Sequence, residues 1–181
     1  MRANPYGSAP AENPHQGRVA MARVDPREGA LIGAAWYAGC LAHASRAGLE
    51  AVTLAAVAGP SAILGASAGG TLLRPSFHVV RGHAALRGGA VLATQSTAPR
   101  DVQALAVQTG DARHLWLTNL TGRPQAVRLA GADWQGASLC LIDEAGFDQL
   151  AHAPAGLAAS ARPLGAGALV LPPYAVASLT A

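Results

Sequence analysis

At 181 residues, 51% hydrophobic and 13% charged, the chain has the composition of a globular protein and not of a disordered one. The formal net charge is +3, all 13 basic residues are Arg, and they lie scattered: eight against four acids in residues 1–88, five against six acids in residues 89–181. That scatter, with no basic stripe interleaved with aromatic rings, argues against a nucleic-acid partner, and the longest apolar run, Gly29 to Ala42, is shorter than the ~18 residues of a bilayer-spanning helix, which argues against a membrane span.

Residues 1–24 carry Pro5, Gly7, Pro10, Pro14 and Gly17 without periodicity and read as an irregular loop; they hold no apolar signal-peptide core, so a cytoplasmic setting is expected. Asp25-Pro26-Arg27-Glu28 then combines an N-cap Asp, a Pro at the first helical position and an acid in the first turn. A helix is predicted from there to a left-handed stop at Gly48, with Leu31, Ala35, Ala38 and Ala42 on one face and Ile32, Trp36, Cys40 and His43 on the next. Being apolar on most sides, it is expected to be largely buried, with Trp36 in the core and His43 packed and hydrogen-bonded.

Ala51 to Val57 has no polar alternation and reads as a strand covered on both faces. About 17 residues rich in Gly, Ser and Ala follow, Ala58 to Arg74, a loop length that is usually functional or flexible. Pro75 opens a second helix with Phe77, Val80, Ala84 and Ala85 at helical spacing, closing at Gly88-Gly89.

From Ala90 onward the period changes to two. Strands are predicted at 90–95, 102–108, 114–119, 125–129, 138–142, 167–171 and 175–180, separated by turn-rich pieces. This spacing is that of an antiparallel sandwich. Two domains are therefore expected, residues 1–89 with helices and a parallel strand, and residues 90–181 all-β. The first half holds one strand that needs parallel neighbours on both sides, so it reads as part of a larger α/β unit.

The residues Asn4-Pro5-Tyr6-Gly7, Asp25-Pro26-Arg27, Gly33-Ala34-Ala35-Trp36, Leu41-Ala42-His43-Ala44, Ala51-Val52-Thr53-Leu54, Arg74-Pro75-Ser76-Phe77-His78-Val79-Val80-Arg81-Gly82 and Leu115-Trp116-Leu117-Thr118-Asn119-Leu120-Thr121 occur in this order over about residues 3–130. In that order they resemble the D-apionate lactonase family, whose members look like glycoside-hydrolase-type (β/α)₈ TIM barrels carrying a C-terminal β-sandwich. The resemblance implies an α+β chain in which Asp25 to Ala47 is the seventh barrel helix, Ala51 to Val57 the eighth strand and Pro75 to Arg87 the eighth helix. It implies a hydrolase of a sugar-acid lactone or glycoside, inactive alone because the barrel's catalytic acids lie upstream. A non-catalytic carbohydrate-binding or structural sandwich, or the tail of a retaining glycoside hydrolase, stays open as an alternative.

On that placement Asn4 and Tyr6 fall in the loop after the seventh strand, where polar side chains orient a sugar hydroxyl or lactone oxygen, with a plain turn as the competing reading. His78 lies beside the long loop within reach of a substrate, although its position one turn into the helix favours packing. No catalytic residue is assigned from the sequence. Cys40 and Cys140 are expected as buried reduced thiols, and no cluster implies a metal or an organic cofactor. Asn119-Leu120-Thr121 matches a glycosylation sequon but reads as a turn at a strand end. Ser61 lacks a nucleophile-elbow context, and Asp143-Glu144 read as turn residues beside Gly146.

Overall fold

The computed structural model describes residues 25–59 and 62–181. Asp25 does cap a helical start, but of a 3-10 turn, Pro26–Gly29; its carboxylate accepts from the Arg27 backbone N–H at 3.0 Å. After a bend at Ala30 the first α-helix runs Leu31–Arg46 (α1) and stops before Gly48, whose φ of 72° is the left-handed geometry the sequence reading assigned to it. The second helix is Pro75–Ala84 (α2), carried on by turns to Gly88 at φ 80°.

Between the helices the structure departs from the sequence reading. The strand expected over Ala51–Val57 is only Ala56–Ala58 (β1), and Val52 and Val57 are exposed. A strand buried on both faces needs a partner on each side; β1 has one, a short parallel pairing to Ala62–Ser67 (β2). The expected loop itself folds: β2 turns back on Gly70–Leu73 (β3) as an antiparallel hairpin, with Gly70 at φ 117° in the turn.

All seven sandwich strands form. They are Ala90–Leu92 (β4), Val102–Thr109 (β5), Ala112–Asn119 (β6), Gln125–Val127 (β7), Ser138–Ile142 (β8), Leu169–Leu171 (β10) and Val176–Thr180 (β11), with a further short strand Arg162–Pro163 (β9). The large sheet runs β4-β5-β6-β11-β8-β9, antiparallel throughout, and β10 pairs with β7 in a second, two-stranded sheet. Residues 143–161, to which the sequence assigns no helix or strand, hold two short helices, Phe147–His152 (α3) and Gly156–Ala159 (α4).

Period-two alternation divides the large sheet's side chains between two cores. Leu105, Val107, Trp116, Ile142 and Val176 point to the helices and meet Ala34, Ala35, Ala38, Ala42 and Val79. Val102, Ala106, Leu115, Leu117, Leu139, Ala177 and Leu179 point the other way and meet Leu169, Leu171 and Trp134. The sheet is thus covered on both faces. Small residues on α1 let its backbone come close, and Thr118 at the sheet centre donates to the carbonyl of Ala35 at 3.3 Å. At the far end of α1, Arg46 donates to Ala104 O at 2.7 Å and to Gln103 Oε1 at 2.5 Å, and Gln103 in turn donates to Pro99 O.

Two expectations about side-chain direction are corrected. Trp36 is 52% exposed and His43 is exposed, because the small-residue face of α1 takes the sheet and turns the Ile32–Trp36–Cys40–His43 stripe outward. Trp116, by contrast, is a core anchor, buried against α2 at Gly82. A Cβ at Gly82 would stand 2.3 Å from Trp116 Cζ2 and 2.4 Å from Cη2. Gly82→Ala is therefore expected to destabilise the chain by about 2 kcal/mol, since overpacking outweighs the ~1 kcal/mol that Ala normally gains over Gly in a helix. A urea midpoint that rises instead would remove this account of the contact.

Candidate functional site

The N-terminal ends of α1 and α2 and the β2–β3 hairpin lie together, and this end gathers polar chemistry. Arg74, immediately before α2, donates from its backbone N–H to Ile63 O at 3.0 Å and from Nη1 to Ala62 O at 2.9 Å, tying the root of the hairpin to the helix start. Its guanidinium passes beside Gly29 and Gly65, where added Cβ atoms would be 3.6 and 3.5 Å from Nε. Tyr37 on α1 faces the same region. Its phenol is pushed up first by burial and next by the Glu28 carboxylate, with Arg74 acting in the opposite direction. Glu28, Tyr37 and Arg74 thus share one environment that the sequence reading did not assemble.

Asp25 and Arg27 stand at the same end, joined by Nε to Oδ1 at 2.9 Å, Nε to Oδ2 at 3.1 Å and Nη2 to Oδ2 at 2.6 Å. The Arg27 guanidinium holds the Asp25 carboxyl at a pKa of about 2. An acid so committed has no proton to donate near neutral pH, so Asp25 is a cap and an ion-pair partner, not a general acid.

Of the sequence candidates, Asn4 and Tyr6 lie outside the described residues. His78 does not face the open side: it is 2% exposed, and its Nε2 donates to the carbonyl of Leu150 in α3 at 2.9 Å. In this arrangement α3 covers the ring, and substrate contact by His78 gives way to packing. Asp143 Oδ1 accepts from Gly146 N–H at 3.0 Å, the turn role expected of it. Cys40 and Cys140 are free, half-buried thiols whose pKa burial raises. Among the described residues no three His, Cys, Asp or Glu side chains gather as a metal site, and no helix is long and apolar enough to cross a membrane.

A cavity of about 610 Å³ opens at the opposite, C-terminal ends of the two helices, lined mainly by Leu41, Leu54, Val80, Leu105 and Val107 with His83. Aliphatic side chains dominate its lining, which also holds Ser45, Glu50, Thr53 and Arg87 and reaches Ile63 of β2. In a (β/α)₈ barrel the N-terminal ends of the helices border the face where chemistry occurs and the C-terminal ends serve stability. The polar end is accordingly the candidate site.

Family models for D-apionate lactonases match both halves of the chain in order, the TIM barrel domain over residues 1–88 and the C-terminal immunoglobulin-like domain over residues 99–179. The chain belongs to the D-apionate lactonase family. A curated relative, the D-apionate lactonase of Brucella anthropi, is 34% identical over 133 residues, which is 72% of this chain and 21% of the relative. The chain thus spans about a fifth of the length of this lactonase. Among solved structures, a conserved exported protein from Bacteroides fragilis superposes with a TM-score of 0.60 at 13% identity, over 91% of this chain and 37% of that one. A glycoside hydrolase family 30 subfamily 8 xylanase from Clostridium acetobutylicum gives 0.61 at 9% identity, over 84% of this chain and 39% of the xylanase. At such identities these two attest the shared fold of the lactonase family chain and nothing of its substrate.

Proposed function

We propose that the chain is the C-terminal part of a D-apionate lactonase-like hydrolase, acting on a small sugar-acid lactone. In this reading residues 1–89 supply the last β/α units of the barrel and residues 90–181 the sandwich. The observation that carries it is the ordered match of both halves to the two domains of one lactonase family. The polar end built from Glu28, Tyr37 and Arg74 borders the substrate, and Asn4 and Tyr6 contribute from the loop before α1. The catalytic carboxylates belong to the four-fifths of the lactonase that this chain does not span. Exposed Trp36, Leu49, Val52 and Val57 then become the surface on which the other barrel units pack, and Ala51–Val57 gains the parallel neighbours its composition calls for.

A chimera tests this. The matching tail of the Brucella anthropi lactonase is replaced by this chain and assayed for hydrolysis of the D-apionate lactone, beside this chain alone. Turnover by the chimera and none by the chain alone is the expected result. A folded chimera without turnover sinks the lactonase reading, and turnover by the chain alone sinks the placement of the acids elsewhere.

The competing reading, a carbohydrate-binding sandwich, loses one face of the large sheet to α1 and α2 and keeps on the other, beside β7, a cavity of about 550 Å³ lined by Arg113, Leu115, Leu117 and Trp134.

A further inference from the structure

Strands β8 and β9 are adjacent antiparallel partners, a connection that two to five residues commonly make. Here residues 143–161 intervene, far more than the pairing needs. They fold into α3 and α4, and α3 crosses out of the sandwich to lie against α2 and β3. Two side chains of α2 fasten the excursion: His78 through Nε2–H to Leu150 O at 2.9 Å, and Arg81 to Pro154 O. Leu150 and Ala151 are buried, as is Leu73 at the end of β3. The hairpin is therefore held at its root from two directions, by Arg74 bonding to Ala62 O and Ile63 O and by α3 on the other side, while its turn, residues 66–71, stays exposed.

We infer that the 143–161 excursion is a positioning element by which the sandwich fixes the β2–β3 hairpin on the substrate face, so that the hairpin sets which lactone fits. The role in selectivity rests on the substrate-face reading proposed above; the mechanical role does not. His78 and Arg81 act through α3 and are positioning residues, with no contact to substrate required of either. The His78 link keeps its donor in either charge state, since Nε2–H donates in the neutral tautomer and in the imidazolium alike.

The test begins with amide hydrogen exchange on the whole chain. In His78→Leu, and more mildly in Arg81→Ala, amides of 62–73 are expected to exchange roughly tenfold faster or more, while those of β5 and β6 keep their rates. His78→Gln, which restores an N–H donor, is expected to recover much of the protection. Faster exchange in α3 with an unmoved hairpin would overturn the inference. Should His78→Leu fail to fold, Arg81→Ala, whose side chain is exposed, decides by the same comparison. In the lactonase chimera, Arg81→Ala is expected to raise KM about fivefold or more with kcat within about twofold, the signature of lost ground-state fit. A fall in kcat at constant KM overturns the role in selectivity. A chimera without turnover in every variant counts against the lactonase reading alone, and the exchange data still decide whether α3 holds the hairpin.

Discussion

Asn119→Ala is expected to destabilise the chain by about 4 kcal/mol, the sum of a lost buried amide and several backbone groups left without partners. Asn119 is fully buried at the end of β6. Its Nδ2 donates to Arg123 O at 2.7 Å, Pro172 O at 2.8 Å and Leu171 O at 3.2 Å, and its Oδ1 accepts from Thr121 N–H at 2.9 Å with the Thr121 hydroxyl at 2.8 Å. One side chain thereby joins the β6–β7 turn to the β10–β11 turn, alongside Tyr174 N–H donating to Thr121 O at 3.1 Å. Tyr174 sits there at φ 54°, a left-handed geometry that a non-Gly residue holds only where its surroundings fix it. Asn119→Asp separates the donor role from mere shape. It keeps the size but turns an acceptor toward three carbonyl oxygens, and so is expected to cost at least as much as the Ala variant. Urea unfolding of both variants checks this; an Asp variant as stable as the parent would show that Nδ2 contributes nothing. The same burial answers the sequon: the amide nitrogen is engaged inside the fold, so Asn119-Leu120-Thr121 is a turn at a strand end and its side chain is closed to glycosylation.

What the sequence made legible and what it hid follow from the range of the forces involved. Asp25-Pro26, Gly48, Pro75 and Gly88 act through their own backbone geometry, and the helix limits they mark are close to those found. The sandwich strands announce themselves by period two because each of their faces meets a different core. Where composition is nearly uniform, pattern fails. In α1 apolar residues occur all round, so the sequence could not say that the Ala and Gly face would take the sheet and leave Trp36 outside. The Gly, Ser and Ala of residues 62–73 carry no alternation, and their pairing as a hairpin depends on Arg74 and on α3, which lies far along the chain. Short α3 and α4 lack a full amphipathic repeat; α3 depends on contacts with α2 and β3, and α4 on contacts with α3 and β8. The polar end was hidden for the same reason: Glu28, Tyr37 and Arg74 are brought together by the packing of two helices, and each alone reads as an ordinary residue. The family resemblance was legible because it needs only the order of short segments, not their contacts.

Stability is expected to fall by roughly 3 kcal/mol as pH drops from 6.5 to 4, and His83 is the principal cause. Burial lowers its pKa to about 4, against a weaker opposing effect of the bond from its Nδ1–H to Val79 O at 2.8 Å. That bond fixes the tautomer and leaves Nε2 as a buried nitrogen with no hydrogen-bond partner among the described residues. The ring lies against Trp116, centroids 4.3 Å apart, so a proton on Nε2 would place charge at a desolvated aromatic contact. Between pH 6.5 and 4 the unfolded chain takes up this proton and the folded chain does not. The contribution is therefore complete above about 6.5, falls at about 1.4 kcal/mol per pH unit between the unfolded and folded values, and levels off below the folded one. His78, also lowered by burial, adds to the slope in the same direction. Asp25, at about 2, acts only below the ordinary carboxylate range and is separable by pH. His83→Phe keeps a ring on Trp116 and removes the titration, so its urea midpoints at pH 7, 5.5 and 4.5 should decline far less than those of the parent. Equal slopes in the two proteins would place the acid sensitivity elsewhere and leave His83 as packing alone.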